Sequence, residues 1–328
     1  MLILTESDLR SVLTMRDVIE AVEQGFRALG AGEAVVPERL QFDVRANGGI
    51  LLEMPAYAGQ KGAGSLGTKI VSVFDQNAQR GLGIVQAVYL LLDSETGAPL
   101  SLMEGRFITA IRTAATSAVA TRHLATPEPK RLAVFGAGTQ AAFHIEAMMS
   151  VAEIESILIS SRSAEKATFL AEDIRSKHKI NCGVALPEIA VKDSNLICTC
   201  TSSGTPLFDG ALIVEGTHIN AVGAFTPSTR ELDTETMRRS RVVIDAESAA
   251  GREAGEILIP LAEHALDHNG AINTLADVVC GKVVGRNSSQ EITVFKSCGL
   301  AIEDLVTARI AYERALERDI GIKIELGV

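Results

Sequence analysis

RLAVFGAGTQA, residues 131–141, is the stretch that decides the fold. An apolar run, Leu132 to Phe135, leads straight into Gly136-Ala137-Gly138-Thr139-Gln140-Ala141, a G-x-G-x-x-A motif, and a helix over residues 139–150 opens on it. A second apolar run, SILIS at 156–160, follows about one helix length later. Each small residue in this β-α-β setting has a physical task. The first glycine permits the tight turn, the second lets backbone approach a pyrophosphate, and Ala141 lets helix and strand pack closely. The free N–H groups and dipole of a helix start favour an anion. The pattern therefore implies a dinucleotide site built on residues 136–140, where an isolated glycine pair would imply only a turn.

Outward toward the C-terminus, the end of the second strand speaks to the choice of cofactor. An acidic residue there usually holds the ribose hydroxyls of NAD. This chain has Ser160-Ser161-Arg162-Ser163 instead, with Lys166 a turn further on. Arg162 can pair with a 2′-phosphate and Ser161 and Ser163 can hydrogen-bond to it, so NADP(H) is favoured and NAD(H) stays open. A helix is expected over 164–177, and strands over 196–200, 218–222, 242–245 and 292–295. Such alternation predicts an α/β fold, a Rossmann-type doubly wound parallel sheet.

Outward toward the N-terminus, residues 105–124 read as one long helix ended by the prolines of ATPEPK (125–130). Before it, strands are expected at 1–4, 35–44, 49–54, 67–74 and 83–92, with a helix over 14–29 and a turn at 93–100. The first hundred residues thus form a mixed α+β domain. An amphipathic helix over 300–318 can leave the second domain and pack back on the first. The expected division is residues 1–117 with 301–328, and residues 118–300, the cofactor domain.

Composition narrows the function classes. The chain has 328 residues and a net charge of −10, which argues against a nucleic-acid surface. Cys182, Cys198, Cys200, Cys280 and Cys298 form no disulfide framework and read as reduced thiols, so a cytoplasmic location is expected. The C-x-C of Cys198 and Cys200 lacks a second ligand pair. His264 and His268 stand four apart but without the Glu of a zinc helix, and read as a solvated face. No metal is expected, no apolar run reaches the length of a membrane span, and Glu303-Asp304 reads as a complement to the dipole of the last helix.

With these residues in place, the chain resembles the ornithine cyclodeaminase/mu-crystallin family. The likeness is carried by GRFITAIRTAATSAVATRHLA (105–125), FGAGTQA (135–141), HINAVGAFTPSTREL (218–232) and FKSCGLAIED (295–304). The resemblance implies a Rossmann domain beside an N-terminal dimerisation domain, a homodimer, and a substrate site between the domains. It implies that Arg39, Lys69 and Arg112 hold a substrate carboxylate, that Glu53 sits near the substrate amine, and that Gly299 borders the substrate. It further implies that Thr113, Val222, Gly223, Ala224, Ser297 and Cys298 flank the nicotinamide. The residue types suit these roles, since Arg binds carboxylates bidentately and Lys adds a point charge. A surface position for Arg39, a strand end for Lys69 and a buried ion pair for Arg112 are the competing structural readings. Cys298 and Gly299, read as a helix start, are expected to offer backbone N–H donors.

One position departs from the family's pattern. Cyclodeaminases carry an Asp after the INA-x-G strand, where this chain has Phe225. A phenyl ring neither accepts a proton nor polarises a water. The expectation is therefore NAD(P)H-dependent reduction of a small cyclic imino acid such as Δ1-pyrroline-2-carboxylate, with Glu53 or a held water as proton source. An alanine dehydrogenase type, a cyclodeaminase and a cofactor-dependent binding protein are the alternatives.

Overall fold

The computed structural model describes residues 1–44, 46, 48–59, 64–265 and 272–326. The chain forms two compact units, residues 1–116 with 300–328, and residues 117–299. His268 lies outside the described residues.

The first unit begins with β1 (Leu2–Leu4), α1 (Glu6–Val12) and α2 (Met15–Gly30). Both helices start on capping boxes, Thr5 with Asp8 and Thr14 with Asp17, which satisfy backbone N–H groups that a helix start leaves open. The helical spacing read from Val18, Ile19, Val22 and Phe26 buries all four. Then come β2 (Ala34–Val35), β3 (Leu40–Val44), β4 (Gly49–Ala58), β5 (Ser65–Phe74), β6 (Val85–Leu92) and β7 (Pro99–Glu104), leading into α3 (Gly105–Leu124). The single strand expected over 35–44 is two strands. Pro37, which has no N–H to give a ladder, falls in the gap.

The second unit alternates β8 (Lys130–Phe135), α4 (Thr139–Val151), β9 (Ile154–Ser160), α5 (Ala164–His178), β10 (Asn181–Val184), α6 (Pro187–Lys192), β11 (Leu196–Thr199) and β12 (His218–Ala221). It continues with α7 (Thr234–Arg239), β13 (Ser240–Ile244), α8 (Glu247–Glu253), α9 (Gly255–Ala262), β14 (Asn273–Thr274), α10 (Leu275–Val279) and β15 (Ile292–Lys296). Among the described residues its strand pairings are all parallel, in the order β10-β9-β8-β11-β12-β15-β13-β14. The central strands β11, β12 and β15 are buried along their whole length, as parallel strands covered on both faces must be. Parallel pairing also puts the loops after β8, β9, β11, β12 and β15 at one edge of the sheet, where such folds bind ligands.

The chain returns to the first unit with α11 (Ala301–Glu317) and β16 (Ile322–Lys323). The sheet order there is β16-β1-β7-β6-β5-β4-β2, with β3 also paired to β4. Its register defines two faces. Met54, Lys69, Tyr89 and Met103 stand opposite one another in a fully buried row, and α11 packs along β4, β5 and β6. The neighbouring row, Leu40, Glu53, Ile70 and Val88, turns the other way. On that side Leu40, Phe42, Ile70 and Val88 remain exposed.

Candidate active site

In the first unit, four charged side chains meet under α11. Lys69 on β5 donates to Asp304 Oδ2 at 2.7 Å, and Arg112 on α3 donates from Nε to Asp304 Oδ1 at 3.0 Å. The other edge of the Arg112 guanidinium donates to Glu303. None of the four is more than 5% exposed. Asp304 thus bridges both cations, with one oxygen for each. Glu303 also accepts from the Leu300 N–H at 3.1 Å, which fixes it to the start of α11.

Burial decides the protonation of this cluster. Burial, with the nearby positive charge of Arg112, lowers the Lys69 pKa to about 8, and Asp304 and Glu303 limit the fall. Burial also works against the charge of Arg112, but the two carboxylates outweigh it and hold the guanidinium charged. Tyr89, opposite Lys69, is pushed well above the usual range by burial and by Asp304, so it stays a neutral phenol. Lys69 has one ammonium hydrogen on Asp304, and Arg112 has hydrogens beyond those given to the two acids. The pair can therefore take a carboxylate without releasing Asp304.

The other sequence-derived residues of this unit are placed differently. Arg39 directly precedes β3 and is half-buried. Glu53 is half-buried on β4 and pairs with Leu40 and Ile70, so its side chain leaves the sheet on the face opposite Lys69. The strands themselves separate Glu53 from the Lys69–Arg112 cluster. Thr113 donates to the Thr109 carbonyl at 2.7 Å within α3.

In the second unit, the glycine motif makes the turn expected of it. Gly136 has φ +109°, and a Cβ there would lie 2.6 Å from the Cys200 carbonyl oxygen, so only glycine fits. Around Gly138 nothing lies within 4 Å of an added Cβ, and this residue caps α4 with no side chain over the helix start. Ala137, Thr139 and Gln140 border the same open helix end, while Ala141 is buried against the sheet. The residues present fit a pyrophosphate. At the end of β9, Ser163 caps α5 through the Lys166 N–H, and Ser161 accepts from the Ser163 N–H, each at 3.3 Å. Arg162 and Lys166 are exposed.

A buried acidic knot ties together the remaining loops. Glu231 accepts from the backbone N–H of Thr201 and Gly223 and from the hydroxyls of Thr199 and Thr201, all within 2.7 Å. It fills the space a side chain at Gly223 would need, 2.6 Å from a Cβ built there. Lys296 pairs with Glu256 at 3.1 Å and donates to the Ala224 carbonyl. Val222, Gly223 and Ala224 are thus held from two sides. Asp245 accepts from the Cys298 and Gly299 N–H groups at 2.5 and 2.6 Å, and from Ser297 Oγ. These N–H groups, expected to be open at a helix start, are engaged by Asp245, and α11 begins later, at Ala301. Burial raises both Glu231 and Asp245 above the usual carboxyl range, against the hydrogen bonds that favour their ionised forms. The sequence reading did not single out Glu231, Asp245 or Glu256, and took Glu303 and Asp304 only as dipole partners. An acid in an otherwise apolar stretch, such as Asp245 after SRVVI, was the available signal. Among the described residues no group of His, Cys, Asp and Glu is arranged to hold a metal ion.

The family profile "Ornithine cyclodeaminase/mu-crystallin family" matches residues 1–319, and the chain belongs to that family. It is 36% identical over 327 residues to a Delta(1)-pyrroline-2-carboxylate reductase of Bacillus cereus, covering 99% of this chain and 100% of the relative. The Thermococcus litoralis Delta(1)-pyrroline-2-carboxylate reductase, solved with NADH and L-proline, superposes with a TM-score of 0.95. That structure is 41% identical, with 99% of this chain and 100% of that chain covered. An archaeal alanine dehydrogenase dimer with bound NAD superposes with a TM-score of 0.93 at 32% identity, covering 99% of each chain. The doubly wound fold is shared throughout. The cofactors named in these structures are NADH and NAD, so they lend no support to the NADP(H) preference expected from Arg162.

Proposed function

We propose that this protein reduces a small cyclic imino acid, Δ1-pyrroline-2-carboxylate or a close ketimine, to the amino acid with a nicotinamide cofactor. The observation that carries the reading is the buried Lys69–Arg112 pair, a ready carboxylate clamp. It stands in a chain 41% identical to a reductase solved with NADH and L-proline. When bound, the cofactor supplies the hydride. Residues 136–140 hold its pyrophosphate, and the loops at Val222–Ala224 and Ser297–Gly299 border its nicotinamide.

Lys69, Arg112 and Arg39 bind and orient the substrate carboxylate. Reduction of C=N puts hydride on carbon and leaves a proton on nitrogen. Glu53, on the far face of the sheet, is poorly placed to furnish that proton. Lys69, with its pKa near 8, is a suitable acid at neutral pH, and a protonated imine is the better electrophile. Phe225 puts no carboxylate at the position where cyclodeaminases of the family carry Asp, which supports reduction of a ring that is already closed, with no ammonia to release.

The test is a panel under one set of conditions: pyrroline-2-carboxylate and piperideine-2-carboxylate, pyruvate with ammonia, and ornithine. Oxidation of NAD(P)H by the cyclic imines is the expected result. Turnover only with pyruvate and ammonia makes the protein an alanine dehydrogenase type, and ammonia release from ornithine makes it a cyclodeaminase. The absence of an acid at Ser160–Ser163, with an exposed arginine there, supports use of NADP(H). Arg162→Ala should then raise the KM for NADPH about tenfold and leave that for NADH unchanged. The exposed apolar face of β3, β5 and β6 supports a homodimer, the state named for the archaeal relative.

A further inference from the structure

Lys69 and Arg112 lie 43 residues apart in sequence, on a strand and a helix. Nothing local sets the distance between their charged ends. Both are fixed by the same carboxylate, Asp304, one oxygen to each. Asp304 is itself fully buried on the first turn of α11, a helix that packs along the strand carrying Lys69. Two like charges placed side by side out of water repel, and each would leave its place without a shared counter-charge. The spacing that a substrate carboxylate meets is therefore set by a residue that need not touch the substrate.

We propose that Asp304 is the positioning residue of the carboxylate clamp, fixing the separation of Lys69 and Arg112 and keeping Lys69 in its acid form for the reduction. The inference rests on the imine reductase reading. Glu303 pairs with the guanidinium of Arg112. The charged and titratable groups facing Lys69 are Asp304 and Glu303 from α11, Arg112 from α3 and Tyr89 from β6. Of these, Asp304 alone contacts the ammonium directly.

The experiment compares the full-length wild type with Asp304→Asn and Glu303→Gln in steady-state reduction of Δ1-pyrroline-2-carboxylate across pH. Asp304→Asn keeps the shape and removes the charge. The substrate KM should rise about tenfold or more. The alkaline limb of kcat should move about one pH unit toward acid, because an ammonium without its carboxylate loses its proton sooner. The KM for NADH should stay within about twofold. Glu303→Gln should raise the substrate KM and leave the alkaline limb in place. A purely structural Asp304 would reduce the amount of folded enzyme without moving either the limb or the KM, and that result overturns the proposal. If Asp304→Asn does not fold, Asp304→Glu serves, since it keeps the charge and moves it by one methylene. A raised KM with an unmoved limb is then expected, and an unchanged KM overturns the proposal. Calorimetric binding of pyrrole-2-carboxylate, a planar analogue that is not reduced, separates this idea from the activity. If the wild type reduces no imine, the functional reading falls. Equal affinity of wild type and Asp304→Asn for the analogue refutes the role of Asp304.

Discussion

Replacing Arg112 by methionine tests the clamp most directly. The substitution keeps much of the side-chain volume in α3 and removes the guanidinium from Glu303 and Asp304, both fully buried. Removing one partner of a buried ion pair costs about 3–5 kcal/mol, because a charge is left behind without compensation. Asp304 keeps Lys69, so the lower end applies, about 3 kcal/mol. For a unit of this size each kcal/mol is worth about 3–4 °C, which predicts a fall in Tm of about 10 °C. The double variant Arg112→Met/Glu303→Gln should recover part of that loss, since it removes the buried Glu303 charge along with the guanidinium that faced it. Catalysis should suffer separately. Losing a charge-assisted, two-pronged contact to the substrate carboxylate is worth about 3–4 kcal/mol, or a 10²- to 10³-fold drop in kcat/KM. Differential scanning calorimetry and steady-state kinetics read the two effects. An Arg112→Met protein as stable as the wild type, with the double variant less stable than either, would refute the reasoning about Glu303 and Asp304.

Gly136→Ala should weaken NADH binding at least tenfold and cost about 1–3 kcal/mol of stability, since its backbone has φ +109° and its Cβ would strike the Cys200 carbonyl; a fluorescence titration with unchanged affinity would contradict this. Burial holds His144 down to about 4, and burial with Arg286 nearby holds His218 down to about 3, so both stay neutral when the unfolded chain takes up protons near pH 6.5. The stability of the second unit should therefore fall as pH drops from about 6.5 toward 4, by up to about 3 kcal/mol per histidine. Urea midpoints at pH 7 and 4.5 check this, and His144→Asn should show a shallower fall than the wild type. Ile70→Asp, on the exposed apolar face, should convert a dimer to monomer in sedimentation velocity while leaving the monomer folded.

The parts of the fold legible in the sequence were those written in local rules. The glycine turn, the helix over Gly105–Leu124 and the strand-helix alternation after Lys130 depend on neighbours a few residues apart. The break at Pro37 and short helices such as α7 and α10 were missed because their periodicity is too brief to register. The cations of the clamp were visible as residue types, but their counter-charges were not. Lys69 and Asp304 are 235 residues apart, and no local pattern announces that an acid on a helix start will turn inward. The face of Glu53 depended on the register between β4 and β5, which the composition of neither strand reveals. His144 shows the reverse. Read as an isolated structural histidine, it donates from Nδ1 to the Gln140 carbonyl and accepts at Nε2 from Ser117, the tautomer those partners require.

The first unit is interrupted by the second, and its closing helix is synthesised only after the whole of the second. On a translating ribosome the cofactor half can complete its parallel sheet while Lys69 and Arg112 still await the acids that neutralise them. A nascent chain stopped near residue 299 would carry an open apolar sheet with two uncompensated cations, a natural substrate for chaperones. On the proposed assignment of the two sites, the order of synthesis makes readiness to bind a nucleotide precede readiness to hold a substrate.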